Sequence, residues 1–199
     1  MGYVIIGLGN PGGEYAKTRH NAGRMAVERI ALKNGFPEFA LKKAAKALVS
    51  EGSIGGEKVT LVLPDVAMNL SGKAAPAFVK SKPAAKKLLV IRDELDLPLG
   101  TIKMTVPGRG SGGHKGVESI MRALKTKDFV QMKVGISAET AKGKLKKPAA
   151  GDKVIKHVIG KFKPAEEAAL KAVLARAAEA AQLFVTRGLE SALMKANTK

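Results

Sequence analysis

The chain has 199 residues, 45% of them apolar and 4% aromatic, no cysteine, and 35 Lys and Arg against 17 Asp and Glu, which gives a formal charge of +18. That length supports one well-filled core, and the lack of cysteine excludes a disulfide framework, a thiolate nucleophile and the common zinc ribbons. The positive excess is a burden through self-repulsion and reads as the footprint of a polyanion, with nucleic acid ahead of an anionic membrane and a general basic bias as the plain alternative.

Residues 3–6 form a short β-rich run closed by glycine, as expected of a buried first strand. After a glycine-rich turn, Ala22, Met25, Ala26, Arg29 and Ile30 recur at helical spacing until Asn34, Gly35 and Pro37 stop the helix. Residues 46–54 and 58–63 read as two strands around a Gly55-Gly56 hairpin turn, with Pro64 closing the second. A loop over 65–71 leads to a short helix over 72–81 that has to accommodate Pro76. Residues 88–91 are continuously apolar, as in a central strand, and break into Asp93-Glu94-Leu95-Asp96 with Pro98 beyond.

A strand over 101–106, a loop with four glycines over 107–113 and a helix over 114–125 follow, the helix showing Val117, Ile120, Met121 and Leu124 on one face. Residues 130–136 read as one more strand, and the lysine-rich stretch 140–153 as an exposed, mobile basic loop. Pro164 opens a long amphipathic helix carrying Leu170, Val173, Leu174, Ala177 and Leu183, and Gly188 separates it from a short final helix. Interleaved strands and helices predict an α/β fold, a single domain over 1–199 with a twisted mixed sheet between helices. No run approaches the roughly 20 apolar residues of a membrane span, and no charged leader precedes the first strand, so a cytosolic protein is expected.

Several chemistries can be weighed on the residues alone. Gly7, Gly9 and Gly12 match a dinucleotide fingerprint after a strand, but Pro11 removes an N–H from the turn that would cradle the pyrophosphate. The acid that should follow is missing too, because Glu28 falls inside the helical pattern. Ser111 has Arg109 where a nucleophile elbow needs glycine, and His20, His114 and His157 are far apart in sequence with no HExxH pattern. Hydrolysis here would therefore rest on a general base acting on water. His20 is placed near a helix start, where the dipole disfavours positive charge and helps keep the ring neutral. Asp93, at what should be the carboxyl end of its strand, can hold the other ring nitrogen; helix capping by His20 and a surface ion pair for Asp93 are the plain alternative.

Taken in order, GLGNPGGEY, TRHNAG, MNLSGKA, DELDLPLG and GSGGHKG closely resemble the bacterial peptidyl-tRNA hydrolase family. The likeness covers residues 3–136 and resumes weakly at 158–162. It implies hydrolysis of the ester between a peptide and the terminal ribose of tRNA, by a monomer without cofactor or metal. It also implies that His20 is the general base and Asp93 its orienting partner, with Asn10 beside them to distinguish a blocked peptidyl group from a free aminoacyl group. Tyr15, Met68, Asn69 and His114 would line the cleft, Asn69 holding the peptide carbonyl or water. Lys103, Lys115 and Lys133 are phosphate contacts on this reading, and the cluster at 142–147 adds nonspecific attraction for tRNA.

Three features depart from the pattern: Ala67 stands where an aromatic residue usually precedes the Met-Asn pair, Lys115 replaces the asparagine after the loop histidine, and Ser137-Ala138-Glu139 with the lysine-rich loop replaces a usually shorter Gly-Arg-Pro-like connection. These departures leave open a second reading, a catalytically silent RNA-binding relative like the organellar splicing proteins that resemble this family. Intact Asn10, His20, Asn69 and Asp93 favour the enzyme.

Overall fold

A computed structural model describes residues 2–140, 142–148 and 151–198. Strand β1 (Tyr3–Gly7) is central, with β4 (Glu57–Pro64) and β5 (Leu88–Pro98) parallel to it on either side. Beyond β4 lie β3 (Ala47–Ile54) and β2 (Ala40–Lys42), both antiparallel to their neighbours. Beyond β5 lie the parallel β7 (Val130–Glu139) and the antiparallel edge strand β6 (Ile102–Thr105). A two-residue strand, β8 (Leu145–Lys146), pairs with the far end of β7. The described residues thus form one mixed eight-stranded sheet in the order β2-β3-β4-β1-β5-β7-β6.

The sheet is covered on both faces because its central strands are apolar on both. Ile5, Leu61, Leu63, Leu89 and Ile91 point to one side, where α1 (Ala22–Lys33), α5 (Glu167–Arg187) and α6 (Leu189–Asn197) pack. Val4, Ile6, Val62, Leu88 and Val90 alternate with them and meet α3 (Lys115–Leu124) and the turns around residue 75. Helix α5 approaches closely through Ala177, Ala178, Ala180 and Ala181, all fully buried. A chain poor in aromatics fills this core with close-set small residues.

Asn197 of α6 reaches β6, accepting from the Met104 amide at 2.9 Å and donating to its carbonyl at 3.2 Å. No helix among the described residues is long and apolar enough to cross a membrane.

Most elements form where the sequence pattern puts them, including the Gly55-Gly56 turn, whose two residues have φ of 58° and 87°. Three expectations need correction. Asp93 to Asp96 does not end β5: the strand runs on to Pro98, because β7 stays paired with it through Glu94 and again at Pro98 beyond an irregularity. The helix over 72–81 is absent; two 3-10 turns, Met68–Lys73 and Ala75–Ala77, take its place, as suits a Pro76 with no N–H to donate, and a single α-turn, α2 (Lys82–Ala85), follows.

The stretch 140–153 is also more ordered than the expected loop. It contains β8, and Asp152 begins a further helix, α4 (Asp152–Val158), while residues 141, 149 and 150 lie outside the described residues. Strand β2 has too few apolar residues to be read from periodicity, since all three of its residues are exposed.

Gly23, in the first turn of α1, fixes how closely that helix sits on the sheet. A Cβ there would run into the Ile91 carbonyl oxygen and lie 2.7 Å from that of Leu8. Gly23→Ala is expected to cost about 3 kcal/mol, at the upper end for overpacking, because the obstacles are backbone. A urea unfolding curve checks this.

Candidate active site

Three segments converge where β1 and β5 end. Leaving β1, the Leu8 amide bonds the Ile91 carbonyl of β5 at 2.9 Å, and the chain then loops round to a 3-10 turn at Arg19–Asn21 that leads into α1. His20 sits in that turn, and its neighbours fix it. The buried Arg19 guanidinium bonds the Ile136 carbonyl at 3.0 Å and the Glu166 carboxylate at 2.7 Å, and lies over the Phe162 ring. On the other side, Asn21 exchanges two 2.9 Å hydrogen bonds with the backbone of Asn10.

Asp93 lies two residues past the last β1–β5 pair and is 3% exposed. His20 Nδ1 and His114 Nε2 each lie 2.9 Å from the same Asp93 oxygen, Oδ1. His114 reaches it from the N-cap of α3, where its Nδ1 accepts from the Val117 amide at 3.4 Å. The preceding Gly112 and Gly113 have φ of 61° and 81°, a left-handed stretch that favours glycine and lets the loop bring His114 over Asp93.

The hydrogen bonds settle the tautomers. A carboxylate only accepts, so both ring nitrogens facing Asp93 carry protons. His114, whose Nδ1 accepts a backbone N–H, is then a neutral ring with its proton on Nε2. His20 is left with an unprotonated Nε2 in its neutral form.

The electrostatics separate the two rings. Burial, the largest influence on each, lowers both pKa values; for His20 the Asp93 charge and hydrogen bond outweigh it and raise the net value above 6.5. For His114 burial prevails, aided by the neighbouring His20 and Arg92, and its pKa is lowered. Asp93 is driven up by burial but more strongly down by the two histidines, and lies well below the usual carboxylate range. The helix-start position of His20 is as expected, but the sign is not: the carboxylate governs it and the dipole does not.

The separation of the histidines in sequence also misleads about metals, because His20, Asp93 and His114 bring three potential ligand atoms within 4.8 Å of one another. Two N–H donors already meet the Asp93 oxygen in this cluster.

His20, Asp93 and His114 form one wall of a cavity of about 440 Å³; Leu95 and the α4 side chains Val154, Ile155 and Val158 supply apolar surface. Asn10 lies outside this wall. Its Oδ1 accepts from the Met68 amide at 2.8 Å, which leaves its Nδ2 as a free donor. Met68 is buried in the core beside α3 rather than lining the cavity, while Asn69 is exposed one residue on. Tyr15 is half-buried, Ala67 is exposed at the start of the Met68 turn, and Lys115 is exposed with Nζ 3.2 Å from Glu118. Sequence reasoning missed the α4 wall and the roles of Arg19, Asn21 and Arg92; their only signal was adjacency to motif residues.

The peptidyl-tRNA hydrolase family model matches residues 4–199. Among curated proteins, the peptidyl-tRNA hydrolases of Carboxydothermus hydrogenoformans and Chloroflexus aggregans are 41% and 40% identical, each match covering 98% of both chains. The crystal structure of the Acinetobacter baumannii peptidyl-tRNA hydrolase superposes with a TM-score of 0.86 at 32% identity, covering 98% of this chain and 94% of that one. The chain belongs to the peptidyl-tRNA hydrolase family. Its reaction is the hydrolysis of peptidyl-tRNA, and the reading as a silent RNA-binding relative gives way to it.

In this hydrolase the shared Asp93 oxygen couples the two histidines. Removing the His114 donor leaves the Asp93 charge to His20 alone, so His114→Ala is expected to raise the His20 pKa further. An NMR titration of the His20 ring in the two proteins checks the sign.

Proposed function

We propose that His20 is the general base of this hydrolase and that Asp93 orients it. The observation that carries this is the bond from His20 Nδ1 to Asp93, which leaves Nε2 of the neutral ring unprotonated beside a cavity of about 440 Å³. Nε2 takes a proton from water as the water attacks the ester carbonyl, and Asp93 stabilises the imidazolium that forms. The imidazolium then returns the proton to the ribose oxygen as it leaves. An alkoxide leaves more readily than an amide nitrogen, so one positioned base with polar support suffices, without metal, cofactor or covalent intermediate.

Asn10 contributes through its Nδ2, because the Met68 amide occupies its oxygen. That donor meets the carbonyl of the peptide bond in a blocked substrate. The exposed Asn69 amide holds a second carbonyl or the water, and Tyr15 shapes the approach; Met68, buried in the core, serves only through the backbone amide that fixes Asn10.

The tRNA body lies along the basic face. A hollow of about 630 Å³ beside the glycine loop is bordered by Lys103, Arg109 and Lys133 and by no acidic residue, although Lys133 also bonds Glu94 at 2.9 Å. The lysines of 142–147 and the exposed Lys115 extend this attraction. The enzyme works as a monomer in the cytoplasm.

The mechanism is tested with an N-acetylated aminoacyl-tRNA, by measuring release of deacylated tRNA. His20→Ala is expected to lower kcat by about 10²–10⁴-fold, the usual worth of a general base; equal activity would reject the assignment. Because His20 must be neutral and its pKa is raised, kcat/KM should rise with pH through a midpoint above 6.5. Asp93→Asn should move that midpoint down.

The electrostatic contact is tested by the salt dependence of tRNA binding. Lys103→Ala should reduce the slope of log affinity against log salt by about 1 while leaving kcat in place.

A further inference from the structure

Arg92 immediately precedes Asp93 and points to the opposite face of β5, toward α3. It is 2% exposed and among the largest fully buried side chains. Its Nη1 donates to the Asp93 carbonyl at 2.8 Å and lies 3.0 Å from Glu94 Oε2; its Nη2 donates to the Ser111 carbonyl at 3.3 Å. The backbone amide of His114 bonds that same Ser111 oxygen, also at 3.3 Å. A Cβ on Gly112 would lie 3.4 Å from Nη2, so the guanidinium lies directly against the loop.

Charge neutralisation alone does not account for this placement. Glu94 already has Lys133 at 2.9 Å, and Arg92 Nε is buried without a partner among the described residues. A buried guanidinium with an unsatisfied nitrogen is costly to keep. What the fork adds is a rigid link between the end of β5 and the loop of left-handed glycines that presents His114. Earlier in the loop, the buried Gln131 Nε2 donates to the Arg109 and Gly110 carbonyls at 3.1 and 3.2 Å and the Gly108 amide bonds the Lys127 carbonyl at 2.9 Å; nearer His114, Arg92 adds to the local bonds of Ser111 Oγ, which accepts from Gly113 N at 3.1 Å and lies 3.3 Å from the Glu118 carboxylate.

We propose that Arg92 is a positioning residue for the reaction, its guanidinium clamping the Ser111 carbonyl to β5 so that His114 meets the Asp93 oxygen it shares with His20. This rests on the reading of His20 as the base. Arg92 is only 2% exposed and acts through His114.

The charged groups facing His20 must be counted for a pH prediction. From β5 these are Asp93, Glu94, Asp96 and Arg92; from the start of α3, His114 and Lys115; Lys147 lines the same cavity. On the other side, Arg19, Glu166 and, from α4, His157 lie close to the turn that carries His20. Of all these, removing Arg92 frees the His114 donor and withdraws a positive charge, and both effects raise the His20 pKa.

The test uses Arg92→Met and Arg92→Lys, alone and in a His114→Ala background. Arg92→Met should lower kcat on the order of tenfold to a hundredfold with KM little changed, the mark of lost positioning. It should also move the acid limb of the pH profile upward and abolish the His114 Nε2 proton signal that its bond to Asp93 protects. In the His114→Ala background it should lower the limiting kcat no further, while the lost charge still moves the limb slightly upward.

Arg92→Lys keeps the charge but loses the fork, so it should shift the limb in the same direction, and it carries the test if Arg92→Met does not fold. An unmoved limb and an unchanged His114 signal in a folded variant would overturn the proposal, as would a full multiplicative loss in the double variant. The ring signals are read without turnover. A failure of His20→Ala to lose activity would therefore reject the general base and leave the Arg92 result separately legible.

Discussion

One oxygen organises this site. Asp93 Oδ1 is buried and charged, a position that is tolerable only because two ring N–H groups meet it. Satisfying that oxygen fixes much else: it sets the tautomer of His20, it requires His114 at the start of α3, and it calls for glycines in the loop between β6 and α3. The glycine loop, the cap of α3 and the 3-10 turn before α1 are three ways of bringing donors to one acceptor.

The end of β5 repeats the device on its other face. Glu94 Oε2 lies 3.0 Å from Arg92 and 2.9 Å from Lys133, which stand in register on neighbouring parallel strands. Successive residues of one strand thus carry two carboxylates to opposite sides of the sheet, each shared by two donors. The first is shared by two histidine rings and the second by two permanent cations. Alternation along an extended chain lets Arg92, Asp93 and Glu94, three successive residues, reach different partners beside one cavity.

Much of this was legible in the sequence because the signals are local. The apolar runs of β1 and β5, the Gly55-Gly56 turn and the glycines before His114 each announce their own geometry, and the ordered motifs point to His20 and Asp93. The rest depends on what approaches from far along the chain. The continuation of β5 through Asp93-Glu94-Leu95-Asp96 follows from the length of β7, which no property of those four residues reveals. The joining of His20 and His114 on one oxygen spans 94 residues of sequence separation, so their distance in the chain suggested the opposite. The direction of the His20 shift was hidden for the same reason, since a dipole can be read from a helix start but the burial of a distant carboxylate cannot. Helix α4 starts inside the lysine-rich stretch 140–153 that reads as loop, because only its first two residues fall there and neither is apolar.

The contact between Asn197 and Met104 gives the sheet a finished border. A carboxamide that accepts from one residue's amide and donates to its carbonyl imitates a single rung of another strand. The outer rim of β6 is therefore occupied at that residue by the chain's own side group. Edges left bare recruit matching strands from neighbouring molecules and seed ordered aggregates. Here a strand so short, blocked at one of its four residues, offers a poor template for another chain along this edge.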